Sequence, residues 1–308
     1  MQTSEETKLI LGLLSLKGIG PGTVRSLRSL PNFAELSIEQ MANKNKRIAK
    51  SLESHSGALV QAQEFVEEQI TLASKEDVRI LSFFDADYPA LLASSKDDPC
   101  VIYVKGNLSE TPNHSVAVIG TREPTQQGRL MAKRITTYLV EQGQSIVSGL
   151  ALGCDAMAHE AAMQANGHTV AVMAHGLQTV TPDANRDLAE RIVNSGGALV
   201  SQYPFGQKPS PYLFLQRDKT QAAMARGVVM IQSSVDGGSL HASRASITND
   251  RWLAVPVINE EGAQRFGANA ILTSGTSLEK AELLTCDEKR VENCITLASE
   301  ADYSRLLV

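Results

Sequence analysis

An α/β protein is expected from this chain: an extended Rossmann-like parallel sheet with helices on both faces, preceded by a small helical domain. Three observations carry that expectation. Short, continuous apolar runs recur from residue 116 onward, as strands buried on both faces do. Roughly 10–20 residues of helical pattern separate them, which is the arrangement of βαβ units. Before residue 76, apolar positions recur at helical intervals without strand-like alternation.

Residues 1–76 read as the helical domain. Leu9, Ile10, Leu13, Leu14 and Leu16 follow helical spacing, and breaks fall at 17–22 and at Pro31-Asn32. The texture changes at 78–84, the first strand expected, and Val101-Ile102-Tyr103-Val104 supplies a second. Breaks at Gly106-Asn107 and Thr111-Pro112-Asn113 lead to a strand at Val116-Ala117-Val118-Ile119 and a helix from about Gln126 to Gln142. Ser145-Ile146-Val147 is the next strand, and Cys154 to Asn166 the next helix. Strands at 169–173, 198–200, 228–231 and 252–255 complete the series. Residues 77–278 are thus expected as the main domain, and 279–308 as an acidic C-terminal tail.

Charge is uneven across these divisions. The 308 residues carry 29 Lys+Arg against 34 Asp+Glu, a formal charge of −5. Residues 13–52 hold seven cations (Lys17, Arg25, Arg28, Lys44, Lys46, Arg47, Lys50) and two acids, whereas 279–308 hold four cations and seven acids. The basic N-terminal part suits a polyanionic partner although the whole chain is acidic. Cys100, Cys154, Cys286 and Cys294 show no C-x-x-C spacing, so neither a disulfide framework nor a zinc site is expected. No apolar run approaches the ~18–20 residues of a membrane span. The first residues also lack a basic and then apolar leader. A cytoplasmic protein with no membrane partner is expected.

In open parallel sheets, ligands bind beyond the carboxyl ends of the strands, and three loops there share one chemistry. In Gly120-Thr121-Arg122-Glu123-Pro124-Thr125, Gly120 permits a tight turn, Thr121 and Arg122 offer donors, and a helix N-terminus follows with free N–H groups. Ser148-Gly149-Leu150-Ala151-Leu152-Gly153-Cys154-Asp155 comes next. There Asp155 opens a helix as a cap, or pairs with His159 one turn on. The third loop, 233–240, places Gly237, Gly238 and Ser239 at a helix start, an anion-holding arrangement. Arg217 and Lys219, flanking Asp218, are placed to reach backbone phosphates or to form local ion pairs. His175 reads as a polar loop residue, and Pro182 with Asn185 as a turn entering a helix.

Leu16-Lys17-Gly18-Ile19-Gly20-Pro21-Gly22-Thr23 reads as a helix-hairpin-helix. Gly18, Gly20, Gly22 and Thr23 would let backbone N–H groups approach a nucleic-acid phosphate without reading sequence. A hairpin used only for packing is the alternative. No G-x-G-x-x-G, H-E-x-x-H, G-x-S-x-G or phosphate-loop G-x-x-x-x-G-K motif occurs, so no cofactor, metal or catalytic set is expected.

Taken in order, these residues resemble the DprA/Smf family of DNA-processing proteins, from about Leu9 to Ser277. The resemblance is carried by Val118-Ile119-Gly120-Thr121-Arg122 with Pro124-Thr125, by Val147-Ser148-Gly149-Leu150-Ala151 with Gly153 and Asp155, and by Ala158-His159. It continues through Gly176-Leu177, Ser201-Gln202-Tyr203-Pro204, Gly238-Ser239-Leu240, Ala254-Val255-Pro256 and Gly267 with Asn269. The resemblance implies a homodimer that binds single-stranded DNA and loads the RecA recombinase during transformation, without catalysis. By the same resemblance, Gly120, Thr121, Arg122, Ser148, Gly149, Arg217, Lys219, Gly238 and Ser239 line a DNA-phosphate pocket.

Two departures bear on that pocket. Leu152 stands where the family has arginine, and Arg217-Asp218-Lys219 replaces its Arg-Asn-Arg element. One cation is lost and one anion gained, so weaker and less salt-dependent DNA binding is expected. Only about thirty residues follow Ser277, so the winged-helix-like domain of many members is not expected. The alternative function is a Rossmann-type sensor for a nucleotide-derived ligand. A nucleotide phosphoribohydrolase of the Lonely-guy type is disfavoured, because no glutamate follows Gly237-Gly238-Ser239.

Overall fold

The computed structural model describes residues 3–54, 56–108, 114–260 and 262–307; the break expected at Thr111-Pro112-Asn113 lies outside them. Among the described residues, five α-helices precede the first strand: α1 (Glu5–Ser15), α2 (Pro21–Leu27), α3 (Ile38–Lys44), α4 (Lys46–Glu53) and α5 (Ala58–Lys75). Local chemistry sets their starts. The Ser4 hydroxyl accepts from the Thr7 N–H, Pro21 occupies the first turn of α2, and Ser37 with Gln40 forms a capping box on α3.

These helices share a core with the sheet: Ile10, Leu13, Val24, Met41 and Ile48 join the same buried cluster as Val78, Tyr103 and Val104. Polar ties cross the same junction. The Thr7 hydroxyl donates to Asp85 Oδ2 at 2.6 Å, and buried Gln69 accepts from the Phe205 N–H at 2.8 Å. Arg25 donates to the Asp98 carbonyl.

The sheet begins with β1 (Val78–Ser82), a single helical turn α6 (Ala90–Ala93) and β2 (Val101–Gly106). Alternation follows: β3 (Ser115–Ile119), α7 (Gln126–Glu141), β4 (Ser145–Ser148), α8 (Cys154–Gln164), β5 (Thr169–Met173), α9 (Arg186–Asn194) and β6 (Ala198–Ser201). Then come α10 (Pro211–Ala223), β7 (Gly227–Met230), α11 (Ser239–Thr248), β8 (Trp252–Pro256), α12 (Gly267–Ser274), α13 (Ser277–Leu284) and β9 (Cys294–Leu297). The strand order is β1-β2-β6-β5-β4-β3-β7-β8-β9.

From β6 to β9 every pairing is parallel, as expected. The edge differs: β2 pairs antiparallel with β6, and β1 antiparallel with β2, so the sheet is mixed. A strand buried on both faces is continuously apolar whichever way it runs, so its pattern carries no direction. The acidic segment 279–308 also corrects an expectation, being part of the sheet and not a tail. Its β9 pairs with β8, with Cys294 opposite Leu253, and Tyr303 and Leu306 close the core of one face.

Side-chain alternation along β3 feeds both faces. Ala117 and Ile119 join the larger cluster, while Val116 and Val118 pack with Ala132, Ile135 and Leu139 of α7 and with Ala158 of α8. The chain leaves β3 toward β4, β5 and β6 on one side and toward β7, β8 and β9 on the other. Beyond the carboxyl end of β3 lies the topological switch point, where such sheets form a crevice.

Candidate functional site

Backbone contacts knit the loops at that crevice together. The Thr121 N–H donates to the Gln232 carbonyl at 2.8 Å, and the Cys154 N–H to the Thr121 carbonyl at 3.1 Å. Gly153 makes the second contact possible: its φ is +79°, and a Cβ there would lie 2.4 Å from the Arg122 carbonyl oxygen. Leu150 is left-handed at φ +60°, and its carbonyl accepts from Asn185 Nδ2 at 2.8 Å.

Buried Gln232 binds the first loop through its side chain. Its Oε1 accepts from the Thr125 N–H and its Nε2 donates to the Thr125 hydroxyl, both at 2.9 Å. Asn269 supports the third loop, accepting from the Ser233 N–H at 2.9 Å and donating to the Ile231 carbonyl at 2.7 Å. The sequence reading missed Gln232; its signal was a polar residue directly after the apolar run 228–231.

These loops, with α10 and α11, enclose a cleft of about 430 Å³. Of the expected phosphate ligands, Gly120, Thr121, Arg122, Arg217, Gly238 and Ser239 line it. Three others do not. The buried Ser148 hydroxyl donates to the Val118 carbonyl at 2.7 Å, and the Gly149 N–H donates to Asp155 at 3.1 Å. Lys219 lies off the cleft, where its charge bears on His241.

Arg217 reaches the cleft but is committed elsewhere. Only 5% exposed, it donates through Nη1 to the Val172 carbonyl at 2.7 Å and to the Gly149 carbonyl, and through Nε to Asp218 at 3.0 Å. It ties the end of β4 to β5, so the local ion pair wins over the phosphate-ligand role. Arg122 is the opposite case: it is exposed on the cleft and has no ion pair among the described residues.

Two further expectations are corrected. The N–H groups opening α7 are occupied, the Thr125 hydroxyl accepting from Gly128 at 3.1 Å and the Glu260 carboxylate from Gln127 at 2.8 Å. Neither role expected of Asp155 holds: it does not pair with His159, and α8 starts after Gly153 with no side-chain cap. The Asp155 carboxylate accepts from Gly149 and Ala151, while His159 Nδ1 bonds the Thr169 hydroxyl at 2.7 Å. Burial holds the His159 imidazole neutral, its pKa pushed down to about 3. By contrast α11 starts without a capping side chain, and a Cβ at Gly238 would meet nothing within 4 Å. The space beside Gly238 is open to an approaching ligand, although the Leu240 and His241 N–H groups donate within the turn to the Gly237 and Gly238 carbonyls at 3.1 and 3.0 Å.

Cleft carboxylates temper the cations. Glu123, Asp155 and Asp218 line the cleft with Arg122 and Arg217. Burial pushes Asp155 up to about 6 against the pull of Arg217, and burial likewise raises Asp218. Protonation of Asp155 therefore removes negative charge from the cleft as pH falls through about 6. An anionic ligand is expected to bind more tightly at pH 5.5 than at 7.5, and Asp155→Asn is expected to flatten that rise. Affinity titrations at the two pH values check both, and a rise unchanged in Asp155→Asn would clear Asp155 of the effect.

The fold and cleft define a Rossmann-like α/β protein with a crevice at the switch point of its sheet, lined by both arginines and carboxylates. The chain belongs to the family described as DNA recombination-mediator protein A, whose model matches residues 79–289. Protein Smf of Escherichia coli (strain K12) is 32% identical over 208 residues, covering 67% of this chain and 54% of that protein. DNA processing protein DprA of Streptococcus pneumoniae is 34% identical over 206 residues, covering 66% and 68%. This chain spans about half the length of the Smf relatives, 54% of the Escherichia protein and 44% of the Synechocystis one.

Among solved structures, DprA of Streptococcus pneumoniae superposes with a TM-score of 0.71 at 24% identity, covering 99% of this chain and 98% of that one. DNA processing protein A of Helicobacter pylori, reported for its single-stranded DNA binding mode, gives 0.62 at 24% identity and covers 76% of this chain and 97% of that one. Both establish the fold. No helix among the described residues is long and apolar enough to cross a membrane.

Proposed function

We propose that the cleft binds the sugar–phosphate backbone of single-stranded DNA, and that the protein acts without catalysis as a recombination mediator, helping to load the RecA recombinase during DNA uptake. Arg122 carries the reading: an exposed guanidinium without an ion pair, beside the open start of α11, on a cleft wide enough for about a nucleotide. Membership of the mediator family supports it. Homodimerisation belongs to the same proposal.

Arg122→Ala is expected to weaken binding of a labelled single strand by about 1–3 kcal/mol, as loss of a charge-assisted phosphate contact does. Stability should not change, because the side chain is exposed and unpaired. Fluorescence anisotropy checks this, and equal affinity in the variant would remove the cleft from the account. The mediator step is tested by whether the protein speeds RecA assembly on single strands.

One observation favours a second reading. Three carboxylates against two arginines is a poor field for a polyanion, and the cleft volume of about 430 Å³ suits a single nucleotide. A nucleotide-sensing role predicts calorimetric binding of a mononucleotide together with no binding of DNA.

A further inference from the structure

We propose a second nucleic-acid site, for the phosphodiester backbone, in the groove between α2 and the corner joining α3 to α4. This groove has a volume of about 380 Å³, and Thr23, Ser26, Lys44, Lys46 and Arg47 are among its lining residues. All three cations are exposed, and none has an ion pair among the described residues. Their freedom contrasts with other cations of the same basic stretch. Arg25 donates to the Asp98 carbonyl and Arg28 to the Ala93 carbonyl at 3.1 Å, so both fasten α2 to the segment between β1 and β2.

The polar neighbours are largely committed to the backbone. The Ser26 hydroxyl donates to the Thr23 carbonyl at 2.7 Å, and Asn45 Oδ1 accepts from the Arg47 N–H at 3.0 Å. What remains for a ligand is concentrated positive charge. No carboxylate lines the groove, whereas three line the cleft. No aromatic side chain lines it either, so bases have nothing to stack on. Contact is thereby limited to phosphates and is independent of base identity.

The inference goes beyond the cleft reading and stands even if the cleft holds a mononucleotide. Single strands and duplexes both present this backbone. Arg122→Ala reports on the cleft, so duplex binding that survives this change and is lost with the groove cations is made at the groove. The experiment measures affinity for a labelled single strand and a labelled duplex across a salt series. It uses the full chain, Lys44→Gln/Lys46→Gln/Arg47→Gln, and Arg122→Ala.

The triple variant is expected to lower the slope of log K against log salt by about 2–3 on duplex and by about 2 on single strand. Its thermal midpoint should match that of the parent, since all three side chains are exposed. Arg122→Ala should leave the duplex slope unchanged while weakening the single strand, which separates failure of the cleft reading from failure of this one. A slope that falls on single strands alone identifies the single strand as the source of the backbone. Unchanged slopes on both nucleic acids, or no binding of either by the parent protein, would overturn the proposal.

Discussion

Arg217→Ala is expected to lower the unfolding free energy by about 3–5 kcal/mol, more than any change at an exposed cation of the cleft. The guanidinium holds the Gly149 and Val172 carbonyls and the Asp218 carboxylate within the protein. Truncation leaves two buried carbonyls and a half-buried carboxylate without this donor, and an unpaired buried acceptor costs far more than its hydrogen bond contributes when made. Burial already raises the Asp218 carboxyl while Arg217 pulls it down, so removing Arg217 drives Asp218 toward its neutral form. The double variant Arg217→Ala/Asp218→Asn should then be more stable than Arg217→Ala alone. Denaturant unfolding checks the ordering. A loss below about 1 kcal/mol would show that Arg217 is not the brace the geometry describes.

Gly153→Ala should cost about 3 kcal/mol or more and weaken DNA binding with it. Its φ of +79° and ψ of −124° lie where a Cβ is strained, whatever space surrounds it. Here the space is also absent, since the new atom would lie 2.4 Å from the Arg122 carbonyl oxygen and 2.5 Å from that of Thr121. Relief requires the first and second loops to part, which breaks the Cys154-to-Thr121 hydrogen bond and shifts Arg122. Stability and affinity should fall together, unlike Arg122→Ala, which changes affinity alone. A stable Gly153→Ala protein with parental affinity would contradict the loop geometry.

The sheet was legible because its strands are apolar on both faces, and that burial is written into runs such as Val116–Ile119. Strand direction was not, since β2 reads the same running either way. β9 was hidden for a different reason: its four residues sit in a segment dominated by charge, and only pairing with β8 makes them a strand. The cleft was legible through its glycines and hydroxyls. Arg217 was not, because a cation in a sequence looks alike whether it faces a phosphate or two buried carbonyls. Gln232 was missed because its role lies in reaching Thr125, 107 residues away in the chain.

Recognition of single-stranded DNA by Arg122 and the cleft around it is tested by the ratio of single-strand to duplex affinity, measured by anisotropy at one low salt concentration for the parent protein and for Arg122→Ala. The parent should show a clear preference for the single strand, largely lost in the variant. Equal ratios in the two proteins, or no single-strand binding by the parent, would contradict it.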